Sequence, residues 1–211
     1  MPGRRILITG IASYLGSELA RRLEADPGVE YVAGLDTRRP KASLAGTEFI
    51  EADIRDPEIA RLLPPTRVDT VVHNQIVRRP GPGMSSRAAH DINVIGSLQL
   101  LAACERLDTL GAIVVRGSAG IYGAEPAAPQ FFTEEMARLY PLRTRFQRDV
   151  AEIENLFETF RRRHPDVVCT MLRYGRAVDT TRLTAEVGFT PRYTTVEAVR
   201  DYAGSREAVA A

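Results

Sequence analysis

Six short apolar runs, at 4–9, 31–35, 48–51, 68–73, 112–116 and 167–172, are separated by longer stretches, and helical periodicity fills three of these, at about 14–25, 86–107 and 146–163. Runs of this length, rich in Val, Ile and Leu, fit strands buried on both faces. Strands divided by helices pair in parallel through right-handed crossovers. The pattern predicts an α/β fold built on a doubly wound parallel sheet. With 211 residues, 44% of them hydrophobic, the chain can bury one substantial core, so a single domain is expected. Ligands of such sheets lie at the carboxyl ends of the strands, beside the point where strand order reverses. The residues that close each run are therefore the candidates for function.

The first run opens the stretch "ILITGIASYLGSELARRL" at 6–23. Gly10 ends the strand with a residue free to adopt positive φ, and Leu15, Leu19 and Leu23 then recur at helical spacing. A strand, a tight turn and a helix N-terminus together point N–H groups and the positive end of a dipole at a phosphate. Gly10 supports the turn, Gly16 allows helix to pack on strand, and Ser13 stands where a middle glycine normally faces a pyrophosphate. Tyr14 and Leu15 open the helix beside it. An ordinary βα turn has the same outline, so the case for a ligand rests on the strands that follow. The second, "YVAGLD", ends in Asp36, about 20 residues beyond Gly16, where a carboxylate accepts the ribose hydroxyls of an adenosine and repels a 2′-phosphate, favouring NAD over NADP. Arg38 and Arg39 follow, and an arginine here can instead stack on adenine or hold that phosphate. The third, "EADIRD", places Asp53 and Ile54 to flank an adenine, the alternative for Asp53 being a cap on the helix starting near Pro57.

Composition removes other classes. Lys and Arg number 28 against 27 Asp and Glu, a net charge of +1, which makes no case for nucleic acid or a membrane surface as partner. The cluster "RRRH" at 161–164 ends a predicted helix, where cations complement the dipole. Cys104 and Cys169 lie in apolar runs and read as reduced core residues of a cytoplasmic protein. No apolar run approaches the roughly 20 residues of a membrane span, no metal site is expected, and "RRPGPGMSS" at 78–86 reads as a surface loop.

The motifs "TGIASYLG", "GLD", "ADIRD", "VDTVVH", "DINVIGSLQLLAAC" and "GSAGIYG", in this order, resemble the extended short-chain dehydrogenase/reductase family, the NAD-dependent epimerase/dehydratases of UDP-galactose 4-epimerase type, over residues 4 to about 173. The resemblance implies a Rossmann domain at 1–173, a tail at 174–211 packing on it, NAD as cofactor and a nucleotide-sugar as substrate. In that family a Tyr acts as general base, a Lys holds the nicotinamide ribose and lowers the Tyr pKa, and a Ser orients the substrate. Ser118 in "GSAGIYG" matches the serine, the alternative being a cap on the next turn. Aligning "DVAEIE" puts Arg148 at the lysine and Thr144 at the tyrosine. Arginine keeps the charge, but its planar fork does not superpose on an ammonium, and a threonine hydroxyl is a poor general base. Tyr122, in the family's "YG", and Tyr140, one helical turn early before Pro141, are weaker substitutes. "HNQIV" replaces a His-Leu-Ala-Ala-like strand end, so Asn74 and Gln75 bring amides beside the dinucleotide, either bonding it or closing the loop. Asn93 matches the family's helix asparagine near the cofactor, mainly a structural group, and His73 reads as a satisfied core residue.

Two functions follow from these residues. One is an epimerase/dehydratase working by hydride transfer on a nucleotide-sugar; the other is a catalytically impaired dinucleotide-binding module, a sensor, scaffold or truncated form. The run "VVCTMLR" leads directly into "YGRAVDTTRLTAEVGFTPRYTTVEAVRDY", which resembles the family's closing motif, as though the substrate lobe had been removed. The expectations are a short tail helix near 195–203, no tight UDP-sugar binding, and exposed apolar surface that favours a homodimer.

Overall fold

Leu7 and Ile8 sit at the centre of strand β1 (Arg4–Thr9) with no solvent exposure, as a continuous Ile-Leu-Ile run requires of a strand covered on both faces. The computed structural model describes residues 3–123, 133, 136–174 and 185. Around β1, strands β2 (Val29–Asp36), β3 (Thr47–Glu51), β4 (Thr70–His73), β5 (Ala112–Ser118) and β6 (Val168–Tyr174) complete a sheet of order β3-β2-β1-β4-β5-β6. Every pairing is parallel. The chain winds outward from β1 to β3, then returns to β4 on the other side of β1. That reversal puts the crevice between the ends of β1 and β4, at Thr9 and His73, which are register partners.

The strand bounds follow the sequence runs to within about two residues; the fourth starts at Thr70 because Val68 and Asp69 precede the ladder, where Asp69 accepts from the Arg5 amide instead. Two cores result from period-two alternation. On one face Ile6, Ile8 and Val32 meet Ile11 and Ala20, the latter on helix α1 (Tyr14–Glu24). On the other, Leu7, Leu35, Val71, Ile113 and Val115 form a larger cluster beneath the remaining helices. These are α2 (Ile59–Leu62), α3 (Ser86–His90), α4 (Gly96–Cys104) and α5 (Arg145–Arg163). The helix expected over 86–107 is interrupted by a wide π turn at Asp91–Ile95, which carries Asn93.

Helix α5 buries Val150, Ile153, Phe157 and Phe160 and ends in Arg161, Arg162 and Arg163, beside Glu158 and Glu105. The basic cluster closes a helix, as its position suggests. Cys104 is buried, its thiol pushed up to about 12, and Cys169 is half-buried, so neither is a reactive thiolate. Residues 78–87 are exposed, as a Pro/Gly loop should be. Among the described residues no cluster of metal ligands occurs, and no helix is long and apolar enough to cross a membrane. The expected tail helix at 195–203 lies outside the described residues.

Candidate functional site

Gly10 has φ 71°, and a Cβ there would lie 3.0 Å from the Gln75 Cα, so the turn leaving β1 needs glycine for conformation and for room. At Gly16 the room is smaller: a Cβ would lie 2.3 Å from the Gly10 carbonyl oxygen. Ser13 is the N-cap of α1, and its Oγ accepts from Gly16 N at 3.1 Å, donates to Gly10 O at 2.7 Å and accepts from Asn74 Nδ2 at 3.0 Å. The hydroxyl in the middle-glycine position is thus fully used in holding the turn. Tyr14 and Leu15 are exposed at the first turn of the helix.

Asp36 closes β2 and is 7% exposed. Its carboxylate accepts from Ala12 N at 3.1 Å and from Arg38 N at 3.3 Å, tying the glycine turn to the second strand. Two bonds leave lone pairs on a carboxylate that can take four. Beside it opens a cavity of about 420 Å³, lined by Thr37, Asp53, Arg55, Gln75, Met84 and Ile92 among others. The Asp53 carboxylate is gripped by Arg55, whose Nε reaches Oδ1 at 2.9 Å, and this guanidinium holds its pKa below the usual range. It does not cap the helix beyond Pro57; there Asp56 accepts from Glu58 N. Ile54 is wholly buried, against the Gly96 position of α4. Gln75 Oε1 is buried with no partner among the described residues. Exchanging the amide atoms would bury an unpaired nitrogen instead, so either orientation leaves a polar group to be satisfied.

The end of β4 is a closed network. Ser97 Oγ donates to Asn93 O, so it must accept from His73 Nε2, 2.8 Å away. His73 Nδ1 then accepts from Thr9 Oγ1 at 2.8 Å, and Thr9 Oγ1 in turn accepts from Asn74 N and Gln75 N at 3.1 and 3.3 Å. His73 is neutral, Nε2-protonated, and its pKa is pushed down to about 3 by burial and by Arg116. Asn93 pairs with both backbone groups of Val77, at 2.7 and 3.0 Å, and donates to the buried Asp149. It fixes the loop after β4 to α5. Arg116, on β5, donates to Asn74 Oδ1 at 3.0 Å and to Ile76 O at 2.6 Å. Its signal in the sequence is a single cation inside "AIVVRGS", and sequence reasoning passed over it.

The expected catalytic group is drawn together only in part. Ser118 Oγ accepts from Gly120 N at 3.1 Å, capping the turn Ala119–Tyr122. Gln147 Nε2 donates to Gly120 O at 2.9 Å, which ties this turn to the start of α5. Thr144 is the N-cap of α5: its Oγ1 accepts from Gln147 N at 3.1 Å, and Gln147 Oε1 accepts from Thr144 N at 2.8 Å. This reciprocal box leaves the threonine hydroxyl engaged with its own helix. Arg148 is exposed and folds back on the carbonyls of Leu142 and Arg143, at 3.1 and 3.3 Å. Tyr122 is buried, with Arg173 Nη1 donating to its hydroxyl at 3.0 Å, and Tyr140 packs over Gly123.

The family model described as the NAD dependent epimerase/dehydratase family matches residues 6–182. An uncharacterized protein of Mycobacterium tuberculosis is 34% identical over 184 residues, 83% of this chain and 49% of that protein. A UDP-glucose 4-epimerase of Mycolicibacterium smegmatis is 33% identical over 135 residues, 59% of this chain and 42% of that one. The crystal structure of a UDP-glucose-4-epimerase from Stenotrophomonas maltophila, with bound NAD, superposes with a TM-score of 0.68 at 26% identity, covering 81% of this chain and 52% of that one. The chain spans about half the length of the curated relatives it matches. With the motif order, the parallel sheet and the matched family model in agreement, the chain belongs to the NAD dependent epimerase/dehydratase family.

Proposed function

We propose that the chain binds NAD across the carboxyl ends of β1, β2 and β4, and that hydride transfer to or from a nucleotide-sugar is strongly impaired in it. The contrast between two sets of residues supports this reading. Gln75, in the wall of an open cavity, keeps a buried amide atom with no partner among the described residues; the Thr144 hydroxyl, which the resemblance aligns with the general base, is consumed by its own helix. Asp36 would accept the ribose hydroxyls, Gln75 would accept from a donor on the ligand, and Ser118 would orient a sugar hydroxyl. NAD, when bound, supplies the hydride acceptor. Full epimerase/dehydratase turnover is the second reading, favoured by Ser118 at the family position.

The test is interconversion of UDP-glucose and UDP-galactose with NAD present, read by separating the two sugar nucleotides, because a hydride that is taken up and returned leaves no net change at the reduced-nicotinamide band. Loss of the base lowers the rate by roughly 10²–10⁴, so the unaltered chain should be nearly silent. Thr144→Tyr with Arg148→Lys should raise turnover more than either change alone, because base and cation act as a unit. The same variant loses the helix cap and should lose about 1 kcal/mol of stability, so rate and stability move in opposite directions. Robust turnover by the unaltered chain would refute the impairment, and its survival with both Thr144 and Arg148 replaced by alanine would show that neither residue carries the chemistry.

A further inference from the structure

Two departures from the family pattern, Ser13 and Asn74, are joined by hydrogen bonds to Arg116, the one cation in β5. The chain of bonds has one allowed polarity. A guanidinium only donates, so Asn74 must turn Oδ1 to Arg116 and Nδ2 to Ser13. With Ser13 Oγ accepting from both Asn74 and Gly16 N, its own proton goes to Gly10 O. A strap thus runs from β5, over the end of β4, to the N-terminus of α1. It spans the crevice where the strand order reverses.

This arrangement has a cost and leaves a surplus. The Gly16 amide, one of the donors a phosphate would meet at a helix N-terminus, is already bonded to Ser13. Arg116 is half-buried, and it forms no ion pair with any carboxylate among the described residues. Burial without a counter-charge is unfavourable for a guanidinium. Among the described residues its five N–H groups meet only two acceptors, Asn74 Oδ1 and Ile76 O. A cation with no carboxylate partner among the described residues, one side-chain amide away from the start of α1, is the complement of an anionic ligand group at that place.

We propose that Ser13, Asn74 and Arg116 form a single recognition unit for the diphosphate of a dinucleotide, with the Arg116 charge supplying the attraction that close approach at a middle glycine supplies elsewhere in the family. The proposal rests on the NAD-binding reading. It reverses the sign of one substitution. If Ser13 were only a degraded glycine, Ser13→Gly would restore the family turn and tighten binding. In a strapped turn, Ser13→Gly removes the acceptor of Asn74 Nδ2, frees that amide to turn, and loosens the hold on Arg116.

The experiment is calorimetric titration of the unaltered chain, Ser13→Gly, Asn74→Ala, Arg116→Ala and Arg116→Lys with NAD, and with adenosine as a ligand lacking phosphate. Charge-assisted hydrogen bonds predict that Ser13→Gly, Asn74→Ala and Arg116→Ala each weaken NAD about tenfold, and that Asn74→Ala with Arg116→Ala loses little more than the worse single change. Adenosine affinity should stay within about twofold, and the NAD loss should shrink as salt rises. Without ligand, the Gly16 amide should exchange with solvent faster in Ser13→Gly, which tests the strap in the free protein. Arg116→Lys keeps the charge and remains informative if the alanine variant does not fold; it should retain part of the NAD affinity at low salt. Tighter or unchanged NAD binding by Ser13→Gly, or Arg116→Ala within twofold of the unaltered chain, overturns the unit while leaving NAD binding intact. Failure of the unaltered chain to bind NAD overturns the cofactor reading itself, and the unit with it.

Discussion

At pH 4 the fold is expected to be less stable than at pH 7 by about 3 kcal/mol through His73 alone. The imidazole is buried, and both ring nitrogens are committed: Nε2 donates to Ser97 and Nδ1 accepts from Thr9. A second proton would turn Nδ1 into a donor facing a hydroxyl whose own lone pairs already serve Asn74 N and Gln75 N. Burial, reinforced by the Arg116 charge, therefore holds the folded pKa at about 3, against an ordinary value of 6.5. The unfolded chain takes up this proton below about pH 6.5 and the folded chain does not until about pH 3. The contribution of His73 is complete above pH 6.5 and is lost progressively as the pH falls toward 3. Urea unfolding at a series of pH values measures it. Between about pH 6.5 and 5 most carboxylates stay ionised, so that interval is the most diagnostic. His73→Asn should be less stable at neutral pH and should flatten the acid slope. An unchanged slope in this variant would show that the histidine protonates freely in the folded state.

Gly16→Ala is expected to cost about 3 kcal/mol or more and to abolish dinucleotide binding. The added Cβ would meet the Gly10 carbonyl oxygen at 2.3 Å and Ile11 Cα at 2.9 Å, both backbone atoms. No side-chain rotation relieves such a contact. The helix must lift from the turn, which breaks the Ser13 cap and draws Ala12 away from Asp36. By comparison, Gly28→Ala meets only the Asp26 carboxylate at 3.2 Å, the end of a side chain near the surface, and serves as the control. Thermal unfolding of the two variants checks the difference. A Gly16→Ala protein as stable as Gly28→Ala would mean that the turn is wider than 2.3 Å implies.

The sheet was legible because each strand is a largely apolar run too short for a helix, and several are closed by Gly or Asp, as at Gly10 and Asp36. Gly10 and Gly16 were legible for a similar reason: backbone geometry restricts what can stand at those positions. The polar wiring was not. Nothing in "AIVVRGS" says that Arg116 reaches Asn74, because strand register and crossover bring β4 and β5 together from distant parts of the chain. Asp53 shows the same limit. Its position at a strand end suggests a ligand contact or a helix cap; the cap is absent, and the grip of Arg55, two residues on, is not written in the pattern. Ile54 beside it is buried against the Gly96 position of α4, a contact between distant parts of the chain. At Thr144 sequence reasoning follows only the family's catalytic register and misses the cap signature. "TRFQ" is a capping box as well as the family's catalytic register, and the helix-terminal chemistry is what the structure displays.

The most direct measurement is titration of the purified chain with NAD and, separately, NADP by calorimetry up to millimolar concentration, repeated with Asp36→Ala. Saturable binding of NAD, weaker binding of NADP, and loss of that preference in Asp36→Ala are the results expected if the glycine turn and Asp36 hold an adenosine ribose. Absence of heat with either dinucleotide, or a preference for NADP in the unaltered chain, would contradict it.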